Sequence, residues 1–201
     1  GPNKDKKEKI LDFIECFSKL NKFASYITIN ISSPNTKGLR DFHEKKLLSE
    51  LLTKLLELKK NNKIKCPIAL KLSPDIEEKE INNINEMVLK FRIDGIILTN
   101  TTNQNREALL DINKHESGGL SGPILHKLSL KFIKIFYKLN KGKLPIIGVG
   151  GVDSGKSAFE KITSGATAIQ LYTGMVYKGP GIIKDIKQEL IEILKKEKIK
   201  N

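Results

Sequence analysis

Residues able to do chemistry come in tight groups along this chain, each directly after an apolar run. Asn30-Ile31-Ser32-Ser33-Pro34-Asn35-Thr36 sets two amides, two serines and a threonine within seven residues. The run before it, Tyr26 to Ile31, is rich in β-branched residues and suits a strand. Pro34 donates no hydrogen bond, so the strand stops and a stiff polar loop follows. Amides and hydroxyls placed there serve a ligand, because burying them unpaired is costly. The alternative is an ordinary turn in which Ser33 and Asn35 bond their own backbone. Asn100-Thr101-Thr102 repeats the pattern after Gly95-Ile96-Ile97-Leu98-Thr99. Together these groups suit a planar polar ring bearing carbonyl, NH and carboxylate groups.

Lys71 stands inside Ala69-Leu70-Lys71-Leu72. A lysine so placed needs an anion or an acceptor, or else must snorkel from the strand end. Val149-Gly150-Gly151 and Leu171-Tyr172-Thr173-Gly174 close two later apolar runs. Glycines let backbone N–H groups approach an anion, and a following helix start adds a favourable dipole. Two such turns in succession point to phosphate, although glycines also serve tight turns.

The elements that position these groups alternate. Helical spacing of Ile10, Ile14, Phe17 and Leu20 predicts a helix over about 6–21, before the Tyr26–Ile31 strand. Leu47, Leu48, Leu51, Leu52, Leu55 and Leu58 mark a second helix, and residues 67–72 a second strand. Ile81, Ile84, Val88 and Phe91 give a third helix, and residues 94–99 a third strand. After a long loop ending in Gly118-Gly119-Leu120-Ser121-Gly122, a helix begins at Ser129 and a fourth strand spans 144–149. A helix over about 154–164, a fifth strand at 168–172 and a last helix carrying Ile183, Ile186, Leu190 and Leu194 complete the chain. Continuous apolar strands alternating with helices are the mark of an α/β fold with a parallel sheet. Polar clusters at every strand's carboxyl end fit a (β/α)₈ barrel, but that fold takes about 250 residues and eight strands. Five strands make either an open doubly wound sheet or part of a barrel whose first three strands lie outside this sequence.

The 201 residues suit one domain, residues 1–201, with a sizeable core. No run of eighteen apolar residues exists, and the start, Gly1-Pro2-Asn3-Lys4-Asp5, is too polar for a signal peptide. The net charge of +13 raises the possibility of an anionic partner. Its lysines are scattered over helices and aromatics are few, so no nucleic acid is expected; loose attraction to an anionic membrane stays open. Cys16 and Cys66 have no metal-ligand spacing and read as buried thiols in a reducing compartment. His43, His115 and His126 form no ligand pattern, no metal is expected, and all three read as surface residues.

The motifs Asn30-Ile-Ser-Ser-Pro-Asn-Thr-x-Gly-Leu-Arg40, Lys71-Leu-Ser-Pro-Asp75, Asp94-Gly-Ile-Ile-Leu-Thr-Asn-Thr-Thr102, Gly118-Gly-Leu-Ser-Gly122, Ile147-Gly-Val-Gly-Gly151 and Gln170-Leu-Tyr-Thr-Gly174 occur in order. In order and spacing they resemble the dihydroorotate dehydrogenase family along essentially the whole chain. Ser33 stands where class 1 members carry a cysteine, so the resemblance is to class 2, the quinone-linked enzymes. It implies an FMN-dependent (β/α)₈ TIM barrel that oxidises dihydroorotate to orotate in pyrimidine (UMP) synthesis and passes electrons to a quinone. It makes Ser33 the base that removes the C5 proton, with Thr36 helping to orient it; because a serine hydroxyl is a poor base, a water relay past Thr36 is expected to help it shed its proton. It makes Asn30, Asn35, Asn100 and Thr101 substrate-binding, with Asn30 also touching FMN. Lys71 falls near the flavin N1–O2 edge, and Thr99, Gly122, Gly150, Gly151, Tyr172 and Thr173 are cofactor-binding.

Lys37 replaces a common proline and Thr173 a common serine. Family members carry, before the position of Gly1, a membrane-associating segment and three barrel strands. Residues 1–4 read as the loop after the third of these, and the chain as about the last five βα units. Peripheral membrane association follows, at the cytoplasmic face of a bacterial inner membrane or at a mitochondrial inner membrane. The alternatives are another FMN barrel acting on pyrimidines, and a non-catalytic or split fragment needing a partner chain.

Overall fold

The computed structural model describes residues 6–36, 38–104 and 106–199. The expected loop at residues 1–4 and the Lys37 position lie outside them.

Helix α1 (Lys6–Leu20) precedes five strand–helix steps. These are β1 (Ile27–Asn30) and α2 (Lys45–Asn61), β2 (Ile68–Leu72) and α3 (Glu78–Lys90), β3 (Gly95–Leu98) and α4 (His126–Asn140), β4 (Ile146–Gly148) and α5 (Gly155–Thr163), and finally β5 (Ala168–Ile169) with α6 (Thr173–Lys178) and α7 (Ile182–Lys196). The five strands are all parallel and lie in the order β1-β2-β3-β4-β5. A doubly wound sheet reverses direction at a switch point. This one does not, so the barrel reading holds and the open-sheet alternative falls.

The register explains the two faces. Ile29, Leu70, Ile96 and Ile146 are successive partners across four strands. All four are buried and join residues of α1, α2, α3 and α4 in one apolar cluster. Side chains alternate along a strand, so the next row, Asn30, Lys71, Ile97, Ile147 and Ala168, takes the opposite, concave face. That face carries both Asn30 and Lys71. The Gln170 amide reaches back to donate to the Tyr26 hydroxyl at 3.0 Å, from the end of β5 to the start of β1. The sheet is therefore strongly bent.

Several expectations are corrected. Helix α4 starts at His126 rather than Ser129, because a short turn opened by Pro123 feeds it earlier. Strand β5 keeps only two residues, although the Gln170 N–H still donates to the Gly148 carbonyl at 2.9 Å. Helix α6, too short for periodicity to reveal, follows it. Cys66 is buried as expected, but Cys16 is exposed. His43 is not a surface residue: it is 2% exposed. Its Nδ1 lies 2.7 Å from the Arg40 carbonyl, and its Nε2 accepts from the Ser73 N–H at 3.4 Å. Burial pushes its pKa down, which keeps the ring neutral. His126 is half-buried and 2.5 Å from the Glu160 carboxylate.

Lys161 of α5 is wholly buried. Its ammonium donates to the Ser129 hydroxyl at 2.9 Å. That hydroxyl is within hydrogen-bonding distance of the Val149 carbonyl, 2.7 Å, and the Leu98 carbonyl, 3.2 Å. Burial lowers the lysine from 10.5 to about 8. Above pH 8 the unfolded chain then binds more protons than the native one, so stability rises with pH until about 10.5. The penalty is fully felt below pH 8 and amounts to at most about 3 kcal/mol. Equilibrium unfolding at pH 7.5, 9 and 10 should show this rise in the wild type and not in Lys161→Met.

Candidate functional site

At the carboxyl rim of the sheet a cavity of about 380 Å³ opens. It gathers Lys71, Thr99, Asn100, Thr101, Gly122, Gly150, Gly151, Tyr172 and Thr173 from four strand ends. Asn30, Ser33 and Asn35 do not line it. Asn30 and Ser33 face a crevice of about 340 Å³ between α1 and β1, and Asn35 a polar bowl shared with Gly118. Hydrogen bonds connect the two groups all the same. Asn30 Oδ1 accepts from the Asn100 amide at 3.3 Å and from the Ser32 hydroxyl at 2.7 Å. The Asn100 amide also donates to Ser32 Oγ at 3.0 Å, while its own Oδ1 accepts from the Thr101 N–H at 2.8 Å.

Ser32 is thus the fully buried hub of this polar cluster. Sequence reasoning gave it no role, although it lay in the first motif. The signal was available: two adjacent serines at a strand end cannot both face a ligand when side chains alternate. Ser33, half-buried, accepts from the Asn35 N–H at 3.3 Å. The backbone turn bond of the alternative reading is thus present.

The cavity floor carries two polar groups without partners among the described residues. Thr99 Oγ1 is buried and has no hydrogen-bond partner among them. Lys71 is half-buried and makes no ion pair among the described residues, and desolvation lowers its pKa. At the far end, the Thr173 hydroxyl meets the Ser121 hydroxyl at 2.9 Å, and Gly122 packs beside Thr173. An unpaired cation, an unpaired hydroxyl and glycine-lined backbone fit a ligand with an anionic group and a polar ring edge.

Beside Thr101 runs the segment Gly118–Leu120. Thr102 and Leu120 exchange backbone hydrogen bonds at 3.2 and 2.7 Å. A Cβ on Gly119 would overlap the Thr101 side chain and lie 2.9 Å from Pro34 Cγ. Arg40 and Asp75, also without an assigned role in the sequence reading, pair at 3.0 Å behind this rim.

Gly151 has φ +71°, and an added Cβ would stand 2.8 Å from the His126 backbone nitrogen. Gly151→Ala combines left-handed strain with a backbone clash, a loss of about 1–3 kcal/mol. It should weaken binding of a phosphate-bearing ligand about tenfold or more, read by titration.

A family model described as dihydroorotate dehydrogenase matches residues 2–194. The chain is 47% identical over 180 residues to the dihydroorotate dehydrogenases (quinone) of Shewanella putrefaciens and of Shewanella baltica, covering 87% of this chain and 53% of each relative. It superposes on DHODH from Eimeria tenella in complex with ferulenol with a TM-score of 0.94 at 34% identity, over 100% of this chain and 58% of that one. The ligand-free Eimeria tenella enzyme gives 0.94 at 35% identity, over 100% and 60%. The chain thus spans about half the length of the curated relatives it matches. Its sequence and its fold agree along nearly all of that span, and the protein belongs to the dihydroorotate dehydrogenase family.

Proposed function

We propose that residues 1–201 form part of an FMN-binding barrel domain of a class 2 dihydroorotate dehydrogenase. Such an enzyme oxidises dihydroorotate to orotate for pyrimidine synthesis and hands the electrons to a quinone. The observation that carries this reading is that Lys71 and Thr99, both without partners among the described residues, lie beside the Asn30–Ser32–Asn100 cluster next to Ser33. The name of the Shewanella relatives gives the reaction and the quinone.

The residues present fit FMN. Among the described residues, the buried Thr99 hydroxyl meets no acceptor or donor and Lys71 meets no anion. Thr99, Lys71 and Asn30 would hold the ring, and Gly122, Gly150, Gly151, Tyr172 and Thr173 the phosphate end. When bound, the flavin supplies the acceptor for the hydride from C6 of dihydroorotate. Lys71 would offer its positive charge to the ring and so favour electron transfer to it.

Ser33 takes the C5 proton. A serine hydroxyl is a weak base at its ordinary pKa and needs help. The Asn35 N–H, 3.3 Å from Ser33 Oγ, favours the charged form of that oxygen as it loses its own proton. Thr36, beside it on the same loop, starts the relay that carries the proton away. Asn30, Asn35, Asn100 and Thr101 hold the substrate ring. Ser32 fixes the two amides from behind and so decides which of their atoms remain free.

No helix of the described residues is long and apolar enough to cross a membrane. Contact with a quinone-bearing membrane is part of this proposal and belongs to the whole enzyme. Nucleic acid is not a partner in it, since the basic residues are scattered.

In the full-length protein, Ser33→Ala should still bind orotate and FMN. Flavin reduction by dihydroorotate should fall about 10²–10⁴-fold, as for loss of a general base. Reoxidation by quinone should be nearly unchanged, because it needs no proton from C5. Stopped-flow absorbance separates the two half-reactions; a wild-type reductive rate with lost orotate binding would make Ser33 a binding residue instead. Lys71→Ala should reduce FMN retention and slow flavin reduction about 10²–10³-fold, the loss typical of one preorganised electrostatic contact. Unchanged flavin content and rate would leave Lys71 structural.

A further inference from the structure

Arg40 and Asp75 stand behind the rim where the ends of β1, β2 and β3 meet. Their side chains are 28% and 5% exposed, and Arg40 Nη2 lies 3.0 Å from Asp75 Oδ2. Arg40 comes from the loop after β1, and its guanidinium also reaches two backbone carbonyls. Nε donates to Ser32 O at 3.5 Å and Nη2 to Thr101 O at 3.4 Å. Asp75, after β2, accepts from the Thr102 hydroxyl and from the Asn103 N–H at 2.9 Å, both in the loop after β3. The Asp75 N–H itself donates to Ser73 Oγ at 3.2 Å. His43 closes the circle, linking the Arg40 carbonyl to the Ser73 N–H.

Neither Arg40 nor Asp75 lines the 380 Å³ cavity. An ion pair with one partner this buried adds little net stability, because desolvation offsets its attraction. What it supplies is direction: the planar guanidinium fork holds several acceptors at fixed angles. Those acceptors are not arbitrary. Ser32 O precedes Ser33, Thr101 O belongs to a candidate substrate residue, and Thr102 follows it.

We propose that the Arg40–Asp75 pair is the positioning element of the substrate half of the site, holding Ser33, Asn100 and Thr101 in mutual register across three strand ends. This rests on the reading of those three residues as the base and the substrate contacts. The glycine-lined far end of the cavity, at Gly150, Gly151 and Thr173, lies at the ends of β4 and β5, outside the three strand ends that the pair joins.

The test uses the full-length, flavin-loaded protein with R40Q, D75N and the double variant. Orotate affinity is read from the flavin absorbance shift, and flavin reduction from stopped flow. Both should fall between about tenfold and 10²-fold, the loss that a displacement of about 1 Å produces. FMN content per folded protein should stay near wild type while orotate affinity falls, a split that a merely structural role would not produce; Tm should fall more in D75N than in R40Q, because Asp75 is the more buried partner. The double variant should lose no more than the worse single one, since each acts through the other. Should D75N fail to fold, R40Q, on the more exposed side chain, carries the test.

The inference is overturned if orotate affinity and reduction rate stay within about twofold of wild type, if the losses only track FMN loss, or if the two substitutions simply add. Ser33→Ala and Asn100→Ala run alongside. If those two impair the reaction while the pair variants do not, the positioning role alone fails. If neither of them impairs it, the site reading fails and the inference falls with it.

Discussion

Where a parallel strand ends, the next backbone N–H and C=O groups lose their ladder partners, and leaving them buried and unpaired is costly. In this sheet side chains take them over. His43 takes the Ser73 N–H, Asn30 takes the Ser32 N–H, and Arg40 takes the carbonyls of Ser32 and Thr101. One of these groups, Asn30, is also a candidate ligand contact. Asn100 does both, bonding its own loop through Oδ1 while its amide ties β3 to Asn30 and Ser32 of the first loop. A rim built this way is stiff, because moving a recognition group would orphan a peptide.

The two lysines near the cavity share one cause and differ in consequence. Burial lowers the pKa of both. Lys71 opens onto the cavity, so an anion arriving there would favour its charged form. Lys161 stands behind β4 with its ammonium on Ser129. Its charge is answered by a hydroxyl and aligned carbonyls, so it tightens the wall whether or not a ligand is bound.

The periodicity of apolar residues was enough to read the strand–helix alternation, because one face of every element meets the same core. Polar residues that break an apolar run, as at Asn30, Lys71 and Asn100, marked the rim for the same reason. What stayed hidden depends on contacts distant in sequence. His43 looks exposed among Asp41, Glu44 and Lys45, but its ring is drawn inward by two backbone groups, one of them thirty residues away. Ser32, Arg40 and Asp75 act on other loops rather than on a ligand, and a linear motif does not separate those tasks. Helix α6 carries no period long enough to see, and β5 shortens where Gln170 turns its side chain toward Tyr26.

The roof above Thr101 is main chain at Gly119, with no room for a side-chain atom. Shape selectivity on that side is therefore written in peptide geometry, which substitution cannot grade in small steps. Divergence of ligand preference in descendants of this sequence would meet a wall at position 119. It would be channelled to Asn35 and the bowl beside Gly118, where side chains can change size without moving the chain.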